Sequence, residues 1–107
     1  MAKRPKFTLT FAPEAIEHVD LIEPKYHKLL RRTIKEQLTH TPTEETRNRK
    51  LLEQPAPFDA SFELRCGPDN RFRVFYDVDV AAQAVQVLAV GVKDRSRLLI
   101  GGEEYES

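Results

Sequence analysis

The chain has 107 residues, with 17 Lys+Arg balanced by 17 Asp+Glu. That length supports one domain with one modest core, and zero net charge excludes a long-range field that would gather nucleic acid, so any electrostatic argument rests on local distribution. A lone cysteine excludes an internal disulfide and fits a reducing compartment. No apolar run approaches the ~20 residues that span a bilayer, and no apolar segment follows the basic start as a signal peptide requires. The expectation is a soluble, cytoplasmic domain over 1–107 with no membrane partner.

In chain order, Lys3, Arg4 and Lys6 form a basic and loose start. Phe7, Leu9 and Phe11 then alternate with polar residues, which predicts a strand. Pro13 and Glu14 suit a helix N-terminus, and Ala15, Ile16, Val19 and Ile22 give a short helical stripe. A second helix follows Pro24, with Tyr26, Leu30, Ile34 and Leu38 recurring every four residues. Its outer face, Lys25, Lys28, Arg31, Arg32, Lys35 and Glu36, is mostly basic, and reads either as a solvated face or as a partner or nucleic-acid surface. His40 to Thr46 is a polar connection, Arg47, Arg49 and Lys50 form a basic rim, and Pro55-Ala56-Pro57 bounds a loop.

The stretch Phe62–Val78 predicts a hairpin. Phe62, Leu64 and Cys66 alternate with Glu63 and Arg65, and Phe72, Val74, Tyr76 and Val78 alternate with Arg71, Arg73, Phe75 and Asp77, around a Gly67-Pro68-Asp69-Asn70 turn. One face buries the apolar set. The other gathers Arg65, Arg71 and Arg73 beside Glu63, a face suited to an anion. Ala84–Val90 reads as a central strand buried on both sides, ended by Gly91, followed by a polar stretch to Arg97, a short strand at Leu98–Ile100, and an acidic tail expected to be mobile.

The order β-α-α-β-β-β predicts an α+β fold in which two N-terminal helices pack on a curled, mainly antiparallel sheet. This order resembles the RelE/ParE superfamily of toxins from bacterial type II toxin–antitoxin systems. So do the segments Asn-Arg-Lys-Leu, Phe-Glu-Leu-Arg, Arg-Phe-Arg-Val-Phe-Tyr-Asp-Val and Leu-Ala-Val-Gly-Val-Lys-Asp-Arg, taken in sequence from Phe7 to Ile100. The resemblance implies a toxin held inactive by a cognate antitoxin. RelE-like members act with the ribosome on mRNA as endoribonucleases that inhibit translation, using the 2′-hydroxyl as nucleophile and no cofactor or metal; ParE-like members bind DNA gyrase. By the resemblance, Arg73 matches the phosphate-stabilising arginine, Lys93 a further basic position past the strand glycine, and Arg65 a basic position on the neighbouring strand. Arginines aimed at equatorial phosphate oxygens stabilise charge that develops in the transition state. Arg71, Arg95, Arg47, Arg49 and Lys50 are the accompanying RNA-binding candidates.

Three positions depart from the nuclease pattern. Ser61 and Glu63 stand where RelE-like nucleases carry lysines, and Leu99 aligns with their C-terminal tyrosine. Tyr105 is the one tyrosine that could be displaced into that role. A gyrase-directed toxin and a catalytically degenerate relative that only binds an antitoxin therefore stay beside the nuclease reading. Each candidate also has a plain structural role open to it: Arg73 as a cross-strand partner of Glu63, Lys93 and Arg95 as local partners of Asp94, the 47–50 cluster as a solvated loop. His18, His27 and His40 lack metal-ligand spacing, Cys66 reads as a small packed residue, and Tyr76 as core.

Overall fold

The computed structural model describes residues 5–105; the basic Met1–Arg4 start and Glu106 of the acidic tail lie outside the described residues. The elements run β1 (Thr8–Phe11), α1 (Pro13–Asp20), α2 (His27–Leu38), β2 (Arg49–Leu51), β3 (Phe62–Cys66), β4 (Phe72–Asp79), β5 (Ala84–Asp94), β6 (Arg97–Ile100) and β7 (Glu103–Glu104). The sheet has seven strands in the order β2-β3-β4-β5-β6-β7, antiparallel throughout, with β1 joining β5 in parallel. β5 is central, as its apolar β-branched run predicts. It lies along β4 for most of its length and shares its other edge between β1, at Ala84–Val87, and β6, at Gly91–Asp94.

The helices cover one face of the sheet. Ala15 and Val19 of α1 and Leu30, Ile34 and Leu38 of α2 meet Leu64, Cys66, Phe72, Val74, Tyr76, Val85, Val87 and Val90 in the main core. Burying a residue of this size contributes about 1.5–3 kcal/mol, so this layer dominates the stability. Phe62 stacks on Tyr76 at 5.3 Å and Tyr26 meets Phe72 edge-on at 5.2 Å. The Tyr76 hydroxyl, fully enclosed, donates to the Pro42 carbonyl at 2.7 Å, and burial pushes its ionisation up to about 12. Cys66 is buried as expected, its thiol pushed up to about 11 by the same desolvation.

Five expectations change. Arg49–Leu51 is not rim loop but the edge strand β2 beside β3. Gly91 does not end β5, which runs on to Asp94; it sits in close contact with β6, where an added Cβ would lie 3.0 Å from the Leu99 carbonyl. Ile16 leaves the α1 stripe and is half exposed. The tail is ordered through Tyr105, whose N–H donates to the Leu98 carbonyl at 2.8 Å. The face opposite the helices is also partly covered: Ala60, Phe75, Ala89 and Ile100 form a second small core, with Leu52, Leu88, Leu98 and Tyr105 packed against it. Phe75, which alternation groups with the arginines, anchors that core and is fully buried.

Candidate functional site

Two hairpin turns close one end of the sheet. The β3–β4 turn needs left-handed backbone at Gly67, Asp69 and Asn70. Glycine is obligatory at the first, since a Cβ there would lie 2.3 Å from the Phe72 ring, and Asp and Asn tolerate that region better than other side chains. The β5–β6 turn places Arg95 in the same region, with φ 58°. The Lys93 N–H donates to the Arg71 carbonyl at 2.6 Å and ties the two turns together. Around them lies an open cavity of about 340 Å³ lined by Pro68, Asp69, Arg71, Lys93 and Arg95.

The three cations of this cavity are free to meet an anion. Asp94, the carboxylate next to Lys93 and Arg95 in sequence, pairs instead with Arg97 at 3.2 Å. Among the described residues, Arg71, Lys93 and Arg95 enter no ion pair. Arg71 departs from the face that strand alternation assigns it. Its guanidinium lies 5.8 Å from both the Tyr26 and Phe72 ring centres, a cation–π arrangement that fixes the side chain without consuming its hydrogen-bond donors. Asp69 is the residue that sequence reasoning passed over. It stands in the Gly-Pro-Asp-Asn run that signals only a turn, and the hairpin places it among the residues that line the same cavity.

A second group sits on the sheet face. Arg65 and Arg73 are register partners on β3 and β4, and Glu63 stands two residues along. Like charges directly opposite destabilise a strand pair, and Glu63 offsets this. Its Oε1 accepts from Arg65 Nε at 2.8 Å and lies 3.7 Å from a terminal nitrogen of Arg73. Arg73 Nε donates to the Asn70 carbonyl at 3.2 Å. Desolvation and the Arg65 charge lower the Arg73 ionisation, while Glu63 works against both. Glu63 is only 7% exposed, so this carboxylate is committed to the pair.

The remaining candidates separate. Lys50 is exposed and in register with Glu63, at the edge of the same face. Arg47 is exposed in the connection before β2. Arg49 is corrected: β2 turns it to the helix side, where it is 6% exposed and donates to the Gln37 carbonyl at 2.8 Å, to the Thr41 carbonyl and to the Thr41 hydroxyl at 3.2 Å. Its guanidinium serves the C-terminal end of α2 and does not face solvent. Leu99 faces a small cavity with His18, Leu21, Ile22, Val90 and Val92, away from the arginines. Tyr105 instead packs in the small core built around Phe75, on the arginine side of the sheet.

No protein-family model matches the sequence, and no curated protein matches it. Among solved structures, a chain of the RelBE2 toxin–antitoxin complex from Mycobacterium tuberculosis superposes with a TM-score of 0.69 at 20% identity, over 87% of this chain and 98% of that one. The fold is RelE-like. At that identity the likeness carries the architecture and not the site, so the RelE-like frame tells where the sheet end lies, and the side chains on it have to be read for themselves. On this RelE-like frame the free cations collect at the hairpin turns, while the face arginines are already paired. No described helix is long and apolar enough to cross a membrane.

Proposed function

We propose that this chain is the toxin of a type II toxin–antitoxin pair and that it acts on RNA through the cavity between the two hairpin turns. The observation that carries this reading is Arg71, Lys93 and Arg95 converging, without ion-pair partners among the described residues, at one end of a RelE-like sheet. Three cations of this kind suit the phosphodiester backbone. Cleavage would proceed by attack of the 2′-oxygen on the adjacent phosphorus and departure of the 5′-oxygen, leaving a 2′,3′-cyclic phosphate. Asp69 is the carboxylate in the cavity that can take the 2′ proton, Lys93 can return one to the leaving oxygen, and Arg71 and Arg95 neutralise the phosphorane. The ribosome would present the message, as the family resemblance implies.

The antitoxin has a natural seat on the opposite flank. A groove of about 540 Å³ runs between β1 and α2, lined by Phe7, Leu9, Phe11 and Ile34 and rimmed by Lys6, Arg31 and Lys35. An amphipathic segment with acidic flanks fits it. The basic outer face of α2 then acquires a role as the rim of that seat.

Induced expression in a bacterium, with messenger ends mapped by primer extension, tests the reading. The wild-type chain should arrest growth and cut messages, and Lys93→Ala should do neither. Unimpaired growth with intact messages on wild-type induction would falsify it. One observation favours a second reading. Glu63 neutralises the Arg65–Arg73 pair that the family pattern makes catalytic, which suits a ParE-like gyrase inhibitor or a degenerate relative. Growth arrest with intact messages and blocked gyrase supercoiling in vitro would select the inhibitor.

A further inference from the structure

We infer that Glu63 is a built-in occupant of an anion site made by Arg65 and Arg73, a latch that keeps both guanidiniums from external phosphate while the hairpin-turn cavity stays open. The inference rests on the RNA reading only for its biological meaning; the latch itself is a property of the free chain.

The geometry has four parts. Strand register holds the backbones of Arg65 and Arg73 directly opposite each other, so both side chains rise from neighbouring points on one face. A single carboxylate oxygen, Glu63 Oε1, faces both, at 2.8 Å from Arg65 and 3.7 Å from Arg73. Arg73 is restrained at its other end by the Asn70 carbonyl, so it cannot swing out to a distant ligand while that bond holds. Glu63 is 7% exposed, and a carboxylate so desolvated and flanked by two cations is costly to displace, because displacing it leaves the largely enclosed Arg73 without its compensating charge. Glu63 already supplies Arg73 with a negative charge at 3.7 Å, so on the electrostatic side an incoming phosphate gains only the difference. At the turn cavity the same phosphate meets Arg71, Lys93 and Arg95 beside Asp69, and none of the three cations is ion-paired among the described residues.

The two cation groups therefore differ in kind. The outer one is an entry site for phosphate. The inner one is occupied from within and opens only if Glu63 is moved or neutralised. An RNA strand would be read first at the turn cavity, and the number of phosphates engaged would be set by the latch.

Inorganic phosphate is the probe, titrated into the 15N-labelled full chain, with the arginine Nε–Hε and backbone resonances followed by NMR. In the wild type, amides at Arg71, Lys93 and Arg95 should shift while Arg65 and Arg73 Nε–Hε stay fixed. In Glu63→Gln the Arg73 signal should shift at phosphate concentrations on the order of tenfold lower than any that move it in the wild type, the scale of one hydrogen bond between charged groups. Movement of wild-type Arg73 together with the turn amides overturns the latch, as does a Glu63→Gln protein whose Arg73 stays silent. No response anywhere overturns it too, since no site then distinguishes the two groups. If Glu63→Gln fails to fold, the wild-type arm still decides. Failure of the RNA reading shows separately: phosphate would behave as expected here while induced messages stay intact.

Discussion

Arg49 gives the sharpest test of the structure against the basic-rim expectation. The substitution is Arg49→Ala. It removes a guanidinium that donates to the Gln37 and Thr41 carbonyls and the Thr41 hydroxyl from a residue only 6% exposed. A hydrogen bond to a charged group contributes about 1.5–3 kcal/mol, and a buried carbonyl stripped of its donor costs about 1–3 kcal/mol. One effect offsets part of that loss. The buried Arg49 Nε has no partner, and its desolvation cost disappears with the side chain. A net loss of about 3 kcal/mol is the balance we expect. At about 4–8 °C per kcal/mol for a domain of this size, that lowers Tm by roughly 12–24 °C. Thermal unfolding by circular dichroism reads the shift, and binding of a single-stranded RNA oligonucleotide, measured well below the transition, should be unchanged. A Tm lowered by less than about 3 °C, together with weakened RNA binding, would refute the buried placement and return Arg49 to the surface.

Three further outcomes are expected. Lys93→Ala and Arg95→Ala should each weaken binding of a single-stranded RNA oligonucleotide and reduce the slope of log K against log salt by about 0.7; an unchanged slope in both removes the turn cavity as the phosphate site. His18 Nδ1 accepts from the Val90 N–H at 3.2 Å, and desolvation lowers its ionisation despite Glu17 and Glu14. Because the folded value lies below the unfolded one near 6.5, the unfolded chain takes up the proton first. The contribution is therefore complete above the unfolded value and is lost as pH falls through the folded one. Urea midpoints between pH 8 and pH 5 should decline more steeply for the wild type than for His18→Asn, and parallel declines would contradict the assignment. Tyr76→Phe deletes the 2.7 Å bond to the Pro42 carbonyl and should destabilise by about 1–2 kcal/mol with no effect on RNA binding; a neutral result in urea unfolding would mean water replaces the hydroxyl.

Much of the fold was legible because alternation and helical spacing report burial one element at a time. Leu30, Ile34 and Leu38 line the α2 seam with Tyr26 packed against the same core from the turn before it, and Gly67–Asn70 turns the hairpin, as their spacing predicts. The candidate site was less legible, for a reason visible in Arg71. Alternation assigns a residue to a face, but a long side chain at a strand end can lie along an aromatic ring instead, and Arg71 rests over Tyr26 and Phe72. Arg49 shows the same limit from the other side. Its neighbours Arg47 and Lys50 are exposed, and only the pairing of β2 with β3 turns the middle cation inward, onto carbonyls that α2 leaves unsatisfied.

The sequence by itself determined the layer arrangement, the central β5, the hairpin and its turn, because those follow from period and local backbone preference. It also marked Glu63 as the anomaly among the basic residues. Only the tertiary structure decided which cations are spoken for. Ion pairing depends on register between strands and on distances of a few ångströms across them, and neither is encoded in the spacing along one strand. Register places Arg65 opposite Arg73 and brings Glu63 to both, while the meeting of two turns leaves Arg71, Lys93 and Arg95 open.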